Sequence, residues 1–90
     1  MKNIAVILSG CGVKDGSEIH EATLLLLAID KLGAKYTIFA PNSEFTVVNH
    51  YMGVETDEKR NILIESARIA RGEINDLITF DASKYDALIL

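Results

Sequence analysis

The side chains able to do chemistry gather near the start of the chain. Glu18 and Glu21 stand three apart in a segment of helical pattern, a spacing that puts both carboxylates on one face. Carboxylates so placed raise one another's pKa, which suits a group that must hold and pass a proton near neutral pH. Glu18 also follows Asp15 by three positions, so its principal role is as the second half of a capping box. Cys11, the only cysteine, sits in the turn Gly10-Cys11-Gly12 after an apolar run. There it lines a pocket or simply packs. His20 projects about 100° away from Glu21 on the same helix and reads as a packed or interface histidine. His50, beside Asn49, reads as a surface-loop residue. One cysteine and two isolated histidines make no metal set of recognisable spacing, so neither a metal nor a cofactor is expected.

Glycines between a first strand and a helix can cradle a pyrophosphate. The spacing Gly10-x-Gly12-x-x-x-Gly16 departs from the dinucleotide fingerprint, however. No carboxylate ends the second strand to hold a ribose, since Phe39-Ala40-Pro41-Asn42 is followed by an acid only at Glu44. Nucleotide binding is not expected. A substrate carboxylate at the helix N-terminus remains physically allowed.

The elements that must position these residues alternate. Ile4 to Leu8 is a continuous apolar run, the pattern of a strand buried on both faces of a parallel sheet. A helix capped by Asp15 or Ser17 runs to about Leu32, with Gly33 as its C′ residue. Its run Leu24-Leu25-Leu26-Leu27-Ala28-Ile29 is apolar around most of the circumference. It therefore needs covering on two sides, by the sheet and by another element or a second subunit. Lys35 to Ala40 is the second strand. Residues 42–55 show no clean period and read as an irregular loop. A second helix capped by Thr56 or Asp57 runs to about Arg71, and residues 74–84 form a mixed connector. Tyr85 to Leu90 begins a third strand. The order β-α-β-α-β with long crossovers implies a parallel sheet. A buried strand that stops without the loop beyond it marks residues 1–90 as the N-terminal part of a single domain, incomplete at its C-terminus.

Composition excludes several classes. The chain is 49% hydrophobic and 24% charged, which rules out disorder. The net charge of −4, with no cluster of Lys or Arg, argues against nucleic acid and anionic membrane. The single cysteine excludes a disulfide scaffold and fits a reducing compartment. The five-residue apolar run at the start is too short for a secretory or spanning segment, which leaves the cytoplasm, or a mitochondrion for a trimmed eukaryotic precursor.

Several collinear strings carry a resemblance. Val6-Ile7-Leu8-Ser9-Gly10-Cys11-Gly12-Val13 with Asp15-Gly16-Ser17-Glu18-Ile19-His20-Glu21-Ala22 is one. Phe39-Ala40-Pro41, Asn49-His50, Arg60 to Ile69, Arg71-Gly72-Glu73-Ile74 and Tyr85 to Leu90 are the others. Together they resemble the enhancing lycopene biosynthesis (ElbB) family, within the PfpI-type, class I glutamine-amidotransferase-like superfamily. The resemblance implies a flavodoxin-like three-layer α/β sandwich, of which this chain supplies the first β-α-β-α-β part. It implies a reactive cysteine on a later strand-to-helix turn, beyond Leu90, and places Glu21 as that cysteine's acid/base partner, with Glu18 as runner-up. Gly10, Cys11 and Gly12 become pocket residues.

The implied activity is the conversion of glyoxal to glycolate through a cysteine hemithioacetal, without metal or cofactor, linked to isoprenoid biosynthesis. The implied partner is a small aldehyde or dicarbonyl, with a homodimer or complementing chain on the first helix. The alternative is a non-catalytic regulatory or stress-related binding module of the same fold. The fragment alone is not expected to be active.

Overall fold

The computed structural model describes residues 1–90. Its main sheet is built on β1 (Asn3–Ile7), which pairs in parallel with β2 (Lys35–Ala40) in the register Asn3 to Lys35 through Ile7 to Phe39. Helix α1 (Ile19–Lys31) makes the crossover between them. The run Ile4 to Leu8 has no polar alternation because the strand lies centrally, with a neighbour on each edge.

A second sheet follows. β3 (Glu44–Asn49) and β4 (Val54–Asn61) form an antiparallel ribbon, with an irregularity between Thr46 and Val48. This corrects the expectation of a loop over 42–55 and of a helix starting at Thr56 or Asp57. The turn is chemically specified: Asn49 Oδ1 accepts from the amides of Tyr51 and Met52, and Gly53 takes φ +73°. β4 reads Val-Glu-Thr-Asp-Glu-Lys-Arg-Asn, and it stays out of a helix because its pairing with β3 satisfies the backbone instead.

Helix α2 (Ile62–Ala70) starts at the Asn61 cap, whose Oδ1 accepts the Ile64 amide at 2.9 Å. Arg71 closes it in the left-handed region at φ 56°, with Gly72 following at 85°. The two-residue β5 (Asn75–Asp76) pairs with β2, a pairing the sequence did not announce. Single 3₁₀ turns at Leu77–Thr79 and Ala82–Lys84 lead into β6 (Ala87–Ile89), which joins the other edge of β1. The order β5-β2-β1-β6 is parallel throughout. The expected parallel α/β sheet of flavodoxin-like type is therefore the observed one.

The core lies between this sheet and the helices. Val6 and Leu8 of the first strand region meet Ala22, Leu26 and Ile29 of α1 and Ile38 of β2, and Ile69 and Ala70 of α2 pack against the same cluster. Each large side chain fully buried here contributes about 1.5–3 kcal/mol. On the opposite face Phe39 meets Phe80 and Tyr85 edge-on, with ring centroids 5.3 and 5.8 Å away. Leu24 and Leu27 remain exposed on the outer side of α1, so no other element of this chain supplies the second cover expected for that helix. No helix is long and apolar enough to cross a membrane.

Candidate active site at the carboxyl edge of the sheet

β1 delivers the chain into the glycine turn at the edge where ligands bind in open parallel sheets. The turn is held from both sides. Ser9 N–H donates to Ser17 Oγ at 2.9 Å, Gly12 N–H to the Ser17 carbonyl at 2.9 Å, and Gly10 N–H to the buried Ser66 Oγ of α2 at 2.7 Å. Gly16 is required by space: a Cβ there would lie 2.7 Å from Cys11 N and 2.9 Å from Gly10 C.

Neither Asp15 nor Ser17 caps α1. Glu18 does, with backbone φ −66° and ψ 127°, and its Oε2 accepts the Glu21 amide at 2.6 Å. Glu18 therefore precedes the helix, and the expectation that it shares a helical face with Glu21 is corrected. Its Oε1 pairs with His20 Nδ1 at 2.9 Å. The Glu21 amide, and then the His20 ring, hold the Glu18 carboxyl below its ordinary range, opposite to the mutual raising expected of the pair. The His20 ring is 89% exposed, so this contact adds little stability.

Two clefts open on either side of Glu18. One, of about 210 Å³, brings Glu18 and exposed Glu21 together with Leu8, Leu25 and Leu90. Glu21 thus sits where β6 reaches the same sheet edge. The other, of about 380 Å³, is lined by Cys11, Gly12, Val13, Glu18, Ile19, His20 and His50. Cys11 and Gly12 line it as pocket residues, while Gly10 lies buried beneath the turn. A larger cleft of about 440 Å³, near Tyr36, Arg71 and Asn75, holds none of these side chains and sits where α1 and α2 meet β2. Its size does not outweigh the chemistry at the carboxyl edge.

Burial pushes the Cys11 thiol above its ordinary pKa, and the nearby Arg68 guanidinium only partly offsets this. A thiol so held is a poor nucleophile at neutral pH. No three His, Cys, Asp or Glu side chains converge to hold a metal. Sequence reasoning missed Asp15 as anything but a cap. Its carboxyl is turned inward, accepting the Val48 amide at 2.8 Å and lying 3.3 Å from His50 Nε2. His50 correspondingly faces the glycine turn instead of standing free on a loop. Ser66 was also missed, because a serine within a helix carries no signal of a distant partner.

No protein-family model matches the chain. It is 49% identical over 88 residues to the human glutamine amidotransferase-like class 1 domain-containing protein 3, mitochondrial, covering 96% of this chain and 33% of that protein. It is 48% identical to the mitochondrial ES1 protein homolog of Rattus norvegicus, with the same coverage. To the mitochondrial ES1 protein of Danio rerio it is 41% identical over 93 residues, covering 97% and 34%. Among solved structures, an isoprenoid biosynthesis protein with an amidotransferase-like domain from Ehrlichia chaffeensis superposes with a TM-score of 0.94 at 46% identity. That match covers 98% of this chain and 42% of the other. With this much identity and a shared backbone across nearly all of its residues, the chain is similar to class 1 glutamine-amidotransferase-like proteins of the ElbB-like kind, and it spans about a third of the length of the curated relatives it matches.

Proposed function

We propose that the whole protein is a cofactor-independent glyoxalase-like enzyme that converts glyoxal to glycolate, with Glu21 moving the proton. The observation that carries this is the position of Glu21, in a cleft at the carboxyl edge of the sheet beside Leu90, where β6 ends. A strand-to-helix turn following β6 would put a cysteine within reach of that carboxyl.

The chemistry balances without an external oxidant. A thiolate adds to one aldehyde carbon, and the resulting alkoxide takes a proton to give the hemithioacetal. A carboxylate removes the proton from that carbon as the neighbouring carbonyl oxygen is protonated, giving an enediol; a proton then returns to the neighbouring carbon as the first hydroxyl gives up its own. The first carbon is thereby oxidised to a thioester as the second is reduced to a primary alcohol. Water then hydrolyses the thioester, releasing glycolate and the thiol. Glu21 is the group available for the carbon-to-oxygen proton traffic, since both Glu18 oxygens are engaged at the helix cap.

The proposal includes a homodimer or complementing chain on the exposed Leu24 and Leu27 of α1. It also includes a cytoplasmic location, or a mitochondrial one in a eukaryote, as the relatives' names suggest. The test is glycolate formation from glyoxal by the full-length protein after exhaustive chelation and dialysis. Turnover that survives this treatment is expected; no glycolate at any protein concentration would leave the fold without this activity.

A further inference from the structure

Asp15 is an acid where acid is costly. Its side chain is 6% exposed, Oδ2 accepts the Val48 amide at 2.8 Å, and Oδ1 is buried without a hydrogen-bond donor. His50 Nε2 lies 3.3 Å from that oxygen, within ion-pair distance but outside hydrogen-bond alignment. Folded proteins keep an orphaned buried oxygen only where something supplies its donor. The space is also reserved. A Cβ on Gly12 would run into Asp15 Oδ1 and lie 3.3 Å from both Cε1 and Nε2 of His50.

A small rotation of the His50 ring brings Nε2–H onto Oδ1. The carboxylate then selects the Nε2–H tautomer and leaves the Nδ1 lone pair uncommitted. The ring is 40% exposed and lines the cleft shared with Cys11 and Glu18, and Glu18 is also a wall of the cleft that holds Glu21. An anionic ligand there would meet the charges of Glu18 and Asp15. A neutral molecule carrying hydroxyl groups would find an acceptor instead. Small aldehydes in water are largely such molecules, present as their hydrates.

We propose that Asp15 is a positioning residue that holds His50 as the Nε2–H tautomer, so that His50 Nδ1 accepts a hydrogen bond from a small neutral hydroxyl-bearing ligand, a hydrated aldehyde, in the cleft beside Glu18. The ligand class rests on the aldehyde activity proposed above; the Asp15–His50 pairing does not. The pairing is read from ¹⁵N shifts of the neutral His50 ring in the full-length wild-type protein. A protonated Nε2 and bare Nδ1 are expected, with loss of that preference in Asp15→Ala, or a weakening in Asp15→Asn if the alanine variant does not fold. An Nδ1–H or mixed tautomer in the wild type, or a preference that the Asp15 variants leave unchanged, overturns the pairing.

The ligand role is read from glyoxal kinetics. His50→Gln is expected to raise KM about tenfold with a smaller change in kcat, the loss of one ligand hydrogen bond. An unchanged KM in an otherwise active protein overturns the ligand role. A wild-type protein without glyoxal turnover overturns the aldehyde class, and the tautomer signal still decides the pairing by itself.

Discussion

Replacing Ser66 by alanine tests how the glycine turn is held. Ser66 is 0% exposed, and its Oγ accepts the Gly10 N–H at 2.7 Å across a separation of 56 residues. This bond ties the turn after β1 to α2. Alanine leaves the shape almost unchanged but strands a buried amide without a partner. The cost is that of an unsatisfied buried donor, about 1–3 kcal/mol, with only a hydroxyl's volume vacated. In a chain of 90 residues each kcal/mol lowers Tm by about 4–8 °C. Urea unfolding of the purified protein should show the lower midpoint with an unchanged m value. Exchange of the Gly10 amide should quicken as well. Ser83→Ala is the control: its hydroxyl bonds only exposed Asp81, so its effect should stay within about 0.5 kcal/mol. A Ser66→Ala cost as small as the control's would refute the reasoning, because water would then be reaching the Gly10 amide.

Three further outcomes follow from the same geometry. Gly16→Ala should destabilise by about 1–3 kcal/mol in urea unfolding, because the new Cβ meets backbone atoms of Ser9, Gly10 and Cys11 that cannot swing aside; a cost near zero would show that the turn is loose. Cys11, its thiol pushed up by burial, should alkylate more slowly than glutathione at pH 7.5 and gain rate only on the alkaline side. Peptide mass mapping would read this, and fast labelling at neutral pH would contradict it. The folded-state pKa of Glu18 is depressed, so its contribution to stability is present above its unfolded value and lost as pH falls through the lower folded one. Thermal melts should therefore show a weaker acid-side decline in Glu18→Gln than in the wild type, and parallel curves would place the cap elsewhere.

Periodicity made the parallel sheet and α1 legible. The unbroken run Ile4 to Leu8 and the strand Lys35 to Ala40 are dictated by burial, and Gly33 ends α1 by its positive φ of 77°. What stayed hidden was contact between distant segments. β4 is an exposed ribbon strand whose Asp57, Glu58, Lys59 and Arg60 carry no apolar alternation, so local propensity pointed to a helix. Phe45-Thr46-Val47-Val48 and the Asn49 to Gly53 turn did carry a hairpin signal that could have been used. The cap was misplaced for a related reason. Asp15 has ideal capping spacing, but the ribbon draws its carboxyl inward to the Val48 amide and leaves Glu18 to close the helix. Glu21 was legible only through family resemblance, since its spacing alone describes any solvated helix.

The most direct measurement is the kcat of Glu21→Gln against wild type in the full-length protein, with glyoxal as substrate. If Glu21 moves the proton, kcat should fall by about 10²–10⁴-fold while the fold and the reactive thiol persist. A kcat within about twofold of wild type would contradict the assignment and favour a binding module on the same scaffold.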